Sequence, residues 1–239
     1  MDVKRFASIR SQRVLIWISL VAATIYGSAL FGLMGFLPPP HADLSADQVL
    51  ALYAEHNVRF LVGCIISLIA GFFLLPWSTV LACQMARLEK GWPIWTLIQW
   101  MGINLIAIFI WGPPIIWGTA AFSVDRAPEL TLLLHELGFL SFITPLTVFP
   151  IALVAVLVIC FTKDEADNVS AFPRWLGYLT AWQAVQSFGG PVALLFKSGI
   201  FSWSGLIPFW LPFLLFSVWF GAQSWTMLRA LRHQEREGI

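Results

Sequence analysis

The chain has 239 residues, of which 59% are hydrophobic and 11% charged, and its mean hydropathy is +0.79. Soluble globular domains carry about 25% charged residues, so this composition excludes an ordinary water-soluble enzyme and indicates an all-α, polytopic membrane protein. A formal net charge of +1 leaves no basic excess that would ask for a nucleic-acid partner.

A helix crossing hydrocarbon about 30 Å thick needs about 20 apolar residues. Six runs reach that length, at roughly 14–36, 60–85, 92–122, 137–161, 175–196 and 206–228. Their connections are short, which predicts one six-helix bundle over residues 1–239 with no separate soluble domain.

Arg10 and Arg13 precede the first run, and Gly27-Ser28-Ala29 within it resembles the small-x-small cleavage site of a secretory signal. Cleavage would leave five helices with the termini on opposite sides, while Arg229 to Arg236 still mark a cytoplasmic tail. An uncleaved first helix is therefore the expectation. Pro38 to Pro40 end it, and Ser45 with Gln48 then matches a capping box, flanked by Leu44 and Val49 in the positions of a hydrophobic staple. A helix is predicted to start near Ala46, with Val49, Leu52, Tyr53 and His56 on one face and Glu55 paired to Arg59 four residues on. This reads as an amphipathic helix at the outer interface before the second run.

In the third run, Trp100, Asn104, Ile108 and Trp111 form one stripe, and Gly112-Pro113-Pro114 breaks the helix in its outer half. Before the fourth run, Pro128 suits a first helical turn, Glu129 faces the positive end of the helix dipole, and His135 and Glu136 stand where the apolar run begins. The fifth run repeats the indole-and-amide pattern with Trp175, Trp182, Gln186 and Gly189, and breaks at Gly190-Pro191. Both the third and the fifth open with aromatic-Pro-x-Trp, at 92–95 and 172–175, a weak repeat that suggests stacked hairpins. Pro76, Pro145, Pro150, Pro208 and Pro212 interrupt the opposing helices, and kinked bundles leave gaps. Cys64, Cys83 and Cys160 form no CxxC, so neither a disulfide framework nor a metal cluster is implied.

Basic residues set the orientation, because cytoplasmic loops retain Lys and Arg. With the N-terminus inside, Lys4, Arg5, Arg10, Arg13, Arg87, Lys90, Lys163, Arg174, Arg229, Arg232 and Arg236 are cytoplasmic, and Arg59, Arg126 and Lys197 are outside. That is 11 of the 14 basic residues against 3. Both termini are thus expected in the cytoplasm.

The six runs contain no Asp, Glu, Lys, Arg or His. Intramembrane ionisable groups mark proton relays, ion-coupled carriers and voltage sensors, so those mechanisms are disfavoured. There is no P-loop and no GxSxG. Two readings remain. In the first, a lipophilic molecule or lipid is held between helices, with Trp100, Asn104, Trp111, Trp182 and Gln186 as its lining, by a carrier, receptor or accessory subunit. The plainer account of the same residues is helix packing and an aromatic belt. In the second reading, an enzyme acts on a lipophilic substrate at the outer face, with Glu55 or Glu136 as acid/base, His56 or His135 as its partner and Arg59 holding an anionic group. The plainer account there is a set of solvated or ion-paired residues at helix ends. No zinc motif matches, and no metal or cofactor is expected. The partners expected are the bilayer, a lipophilic ligand, and another membrane protein or a second copy of the chain.

The segments "YAEHNVRFLVG", "QMARLE", "PELTLLLHELGFL", "FPRWLGY" and "FKSGIFSWSGLIPFW" together resemble a family of small six-helix bacterial inner-membrane proteins of uncharacterised function. The resemblance covers most of the chain and implies a multi-pass protein of the bacterial inner membrane, with no catalytic motif attached. It also implies that position 135 accepts polar residues other than histidine, which argues against an indispensable ligand there.

Overall fold

The computed structural model describes residues 8–162 and 170–237, so Lys4, Arg5 and Lys163 lie outside the described residues. Among these residues the fold is all helical, without a strand. α1 (Ile9–Ser28) begins at Ser8, whose hydroxyl accepts the Ser11 N–H at 3.1 Å, and a π turn (Ala29–Leu33) extends it. The short α2 (Ala46–Glu55) carries the capping box that the sequence predicts: Ser45 Oγ accepts the Gln48 N–H, and the Ser45 N–H donates to Gln48 Oε1 at 2.9 Å. Then come α3 (Asn57–Ala70) and α4 (Leu74–Ala86), joined by a 3₁₀ turn just before Pro76. α5 (Ile94–Trp111) and α6 (Pro113–Phe122) meet at Gly112 and Pro113, the predicted break.

α7 (Pro128–Ile143) starts on the proline that suits a first turn, and α8 (Phe149–Thr162) follows a 3₁₀ segment, Thr144–Val148, built around Pro145. α9 (Arg174–Gln186) tightens into a long 3₁₀ stretch, Ser187–Leu195, containing Pro191. A π turn (Leu206–Trp210) with Pro208 leads into α10 (Leu211–Glu237). Pro93 and Pro173 both occupy N-cap positions, so the repeated aromatic-Pro-x-Trp plays the same local part twice. The two Gly-Pro pairs do not: one opens a new α-helix, the other sits inside 3₁₀ backbone.

Among the described residues, five helical stretches are long and apolar enough to cross a membrane: Ile9–Leu33, Asn57–Ala86, Ile94–Phe122, Pro128–Thr162 and Leu206–Glu237. Stretch 174–195 is also helical, but it is less apolar and is divided between two helix types. Several helices extend beyond the predicted runs, as α7 does by nine residues, because caps and prolines end helices whereas hydropathy marks only their apolar part. Bulky apolar side chains such as Val21, Ile65, Ile69, Val154 and Val218 point outward. A water-soluble fold would bury them, whereas a bundle solvated by lipid need not, and the arrangement fits a polytopic membrane protein.

Inside, close packing and hydrogen bonds replace the hydrophobic effect as glue. A Cβ on Gly102 of α5 would come within 2.8 Å of Ala152 Cβ on α8, so these helices cross with backbones almost touching. Trp77 Nε1 donates to Ser224 Oγ at 2.8 Å and Trp219 Nε1 to Thr180 Oγ1 at 2.9 Å. At one end of the bundle Gln84 links Gln12 (2.7 Å) and Gln234 (2.9 Å), and Arg13 pairs with Glu235 at 2.6 Å, so the start of α1 and the end of α10 lie together. At the other end Trp203 Nε1 donates to the Pro40 carbonyl at 2.9 Å, tying together the loops that follow α1 and α9.

Candidate functional site

The broken helices converge. Phe142 and Ile143 at the end of α7, Leu146 in the 3₁₀ segment and Phe149 at the start of α8 face Pro208, Phe209 and Pro212 near the start of α10, and α1 with its π turn closes the ring through Leu20, Tyr26 and Leu30. Between them lies a cavity of about 440 Å³, within the range of small-molecule sites. Eight phenylalanines line it. Proline removes backbone donors and forces the local 3₁₀ and π geometry, which keeps these helices from closing against one another.

One amide stands in this apolar wall. Gln183 of α9 is 2% exposed, and its Oε1 has no hydrogen-bond partner. A buried amide oxygen without a partner costs about 1–3 kcal/mol, so the position stores an unspent interaction beside the empty space. Tyr26 is spent, its hydroxyl donating to the Ile110 carbonyl at 2.7 Å.

None of the five residues expected to bind a ligand lines this cavity. Trp100, Trp111 and Trp182 point outward, 42%, 45% and 67% exposed. Trp100 Nε1 reaches Thr79 Oγ1 at 3.2 Å, and Trp111 Nε1 the Leu68 carbonyl at 3.0 Å. Asn104 accepts from Ser78 Oγ at 2.9 Å, an α4–α5 tie. Gln186 is buried, one turn beyond Gln183, and bonds the Ser187 hydroxyl at 3.4 Å. For the tryptophans the reason is the inversion of helix faces in lipid: α5 turns Gln99, Gly102 and Ile103 inward and its bulky stripe outward. The small and polar residues that α9 buries include Gly177, Thr180, Gln183 and Gln186, and of these Gln183 lines the cavity.

The acid/base candidates at the other end are not assembled into one site. Glu55 and His56 are exposed, 4.0 Å from one another. The backbone at His56 (φ −130°, ψ 42°) interrupts the helix, which carries its side chain off the Val49–Tyr53 face where the spacing predicts it. Arg59 donates to the Gly32 carbonyl and forms no ion pair with Glu55, contrary to the i,i+4 expectation, because the same interruption breaks the register. Glu136 pairs with Lys197 at 3.0 Å. Among the described residues no three His, Cys, Asp or Glu side chains gather in metal-binding proximity.

His135 departs most from the expected solvated rim. It is fully buried, with Tyr53 Oη 2.9 Å from Nδ1, while Nε2 has no partner. Phe139 and Trp203 flank it, with ring centroids at 4.9 and 6.0 Å. Burial raises the Tyr53 phenol well above its ordinary range, so it keeps its proton at physiological pH. The histidine thereby joins α7 to the short α2. No family model, curated protein or solved structure matches the chain.

Proposed function

We propose that the protein is a six-crossing membrane protein that holds a lipophilic molecule in the cavity bounded by α1, the α7–α8 break, α9 and α10, acting as a carrier, receptor or accessory subunit. The observation that carries this reading is the coincidence of an apolar cavity, three broken helices and the partnerless amide of Gln183. Irregular backbone at membrane depth is tolerated where it lines a cavity, and broken helices with a few placed polar groups are how membrane proteins commonly build binding sites.

Six crossings are supported by the contact between the start of α1 and the end of α10, since an even number of passes returns the chain to its first side. On that reading 174–195 makes the fifth pass. The basic residues favour cytoplasmic termini, with α2 at the outer interface, and the resemblance noted above favours a bacterial inner membrane. An outer-face enzyme receives less support, because its candidate residues are separately exposed or engaged.

Native mass spectrometry of protein extracted in mild detergent tests the proposal. Wild type should carry a co-purified lipophilic molecule, and Gln183→Leu, which keeps the volume and removes the amide, should lose most of it. Equal occupancy in both, or a wild type free of any bound molecule, would defeat the reading.

A further inference from the structure

No residue lining the cavity carries a formal charge. A charged headgroup drawn between these walls would surrender its hydration and meet nothing of opposite sign, an outcome far more costly than burying a neutral polar group. A neutral group does have a counterpart in Gln183, since the terminal torsion of a glutamine is soft and either amide atom can turn toward an occupant.

The cavity also has a side opening. Of its lining residues, Thr24 on α1 and Ser217 and Gly221 on α10 are exposed, and all three lie well inside their helices, away from the ends. An opening at that height faces hydrocarbon when the helices span a bilayer. Its rim presents no dangling donor, because the Thr24 hydroxyl donates to the Leu20 carbonyl at 2.9 Å and the Ser217 hydroxyl to the Phe213 carbonyl at 2.7 Å. Small residues keep it wide: a methyl group on Gly221 would meet nothing within 4 Å, and one on Gly27 would touch only Phe31 Cε2 at 4.0 Å.

We infer that the cavity is filled sideways from the bilayer, between α1 and α10, by an uncharged amphiphile whose hydroxyl or carbonyl reaches Gln183 while its chain trails out past Gly221. The inference rests on the ligand-holding reading above and adds the chemical class of the ligand and its route.

The test uses the full chain in phosphatidylcholine vesicles with two photoactivatable probes of equal length, a diazirine-bearing long-chain alcohol and the corresponding fatty acid at pH 8. Labelled residues are mapped by peptide mass spectrometry. The alcohol should label cavity walls on α1 and α10 at least tenfold more than the acid. Gly221→Trp should slow the alcohol's labelling at least fivefold, and Ser217→Trp should do the same if the first variant is not monodisperse. Equal labelling by alcohol and acid overturns the ligand class, and unchanged rates in both tryptophan variants overturn the lateral route. If either occurs while Gln183→Leu still strips a co-purified molecule, the ligand-holding reading stands and this inference falls. If wild type neither carries a molecule nor labels in the cavity, both fall.

Discussion

Gly102→Ala is a demanding perturbation of the packing that shapes the cavity. The new methyl would stand 2.8 Å from Ala152 Cβ and 3.5 Å from its Cα, against about 3.5–4.0 Å for a relaxed carbon pair. Ala152 has no side-chain torsion to rotate away, so α5 and α8 must separate by a sizeable part of an ångström. Overpacking of this kind costs about 1–3 kcal/mol, offset by about 1 kcal/mol because alanine is the better helix former. A net loss of up to about 2 kcal/mol corresponds to a Tm lowered by up to about 8 °C for a chain of this size. The strain should also reach the site, since Ile106, one turn after Gly102, and Phe149, one turn before Ala152, both line the cavity. Thermal unfolding in mild detergent reads the effect, with Gly221→Ala as the control that adds a methyl to open space and should be neutral or mildly stabilising. Ala152→Gly in the Gly102→Ala background should recover part of the loss, because the pair is in contact. A Gly102→Ala protein at least as stable as wild type would show that these backbones do not approach as described.

Tyr53→Phe removes the partner of His135 Nδ1 in a site where Nε2 already lacks one; it should cost about 1–3 kcal/mol, and the double variant Tyr53→Phe/His135→Leu should be less damaging than the sum of its parts. Glu89 accepts the Trp95 and Thr96 N–H groups, each at 2.9 Å, at the start of α5, so Glu89→Ala should lower stability by about 0.5–2 kcal/mol in the same unfolding assay. For orientation, a membrane-impermeant maleimide applied to intact spheroplasts should label Lys197→Cys and leave Arg236→Cys untouched until the membrane is opened. Labelling of Arg236→Cys from outside would reverse the proposed topology. Arg13→Ala breaks an ion pair on the bundle's surface and should change stability by no more than about 1 kcal/mol.

Much of the fold was legible because local chemistry dictates it. The Ser45–Gln48 box, Pro128 at a first turn and the break at Gly112-Pro113 each depend on a few adjacent residues, and each appears where the sequence places it. The break at His56 has no such signal, since neither glycine nor proline marks it, and the face assigned to that histidine failed with it. The outward position of Trp100, Trp111 and Trp182 reflects a rule that differs between solvents: in lipid, bulk faces out and small or polar residues face in. Applied to α9, that rule selects Gln183 as well as Gln186, both of which are buried. Burial of His135 was not legible, because the apolar run begins two residues after it, whereas the helix begins at Pro128 and buries Thr131, His135 and Gly138 along one face.

An experimental density map of the protein, taken from membranes directly into lipid nanodiscs without added ligand, bears most directly on the proposed function. The expected result is elongated density extending from the Gln183 carboxamide toward the gap between α1 and α10. A map in which the two helices pack shut with no space between Tyr26, Phe149 and Phe213, or in which the space is present and featureless, would contradict it.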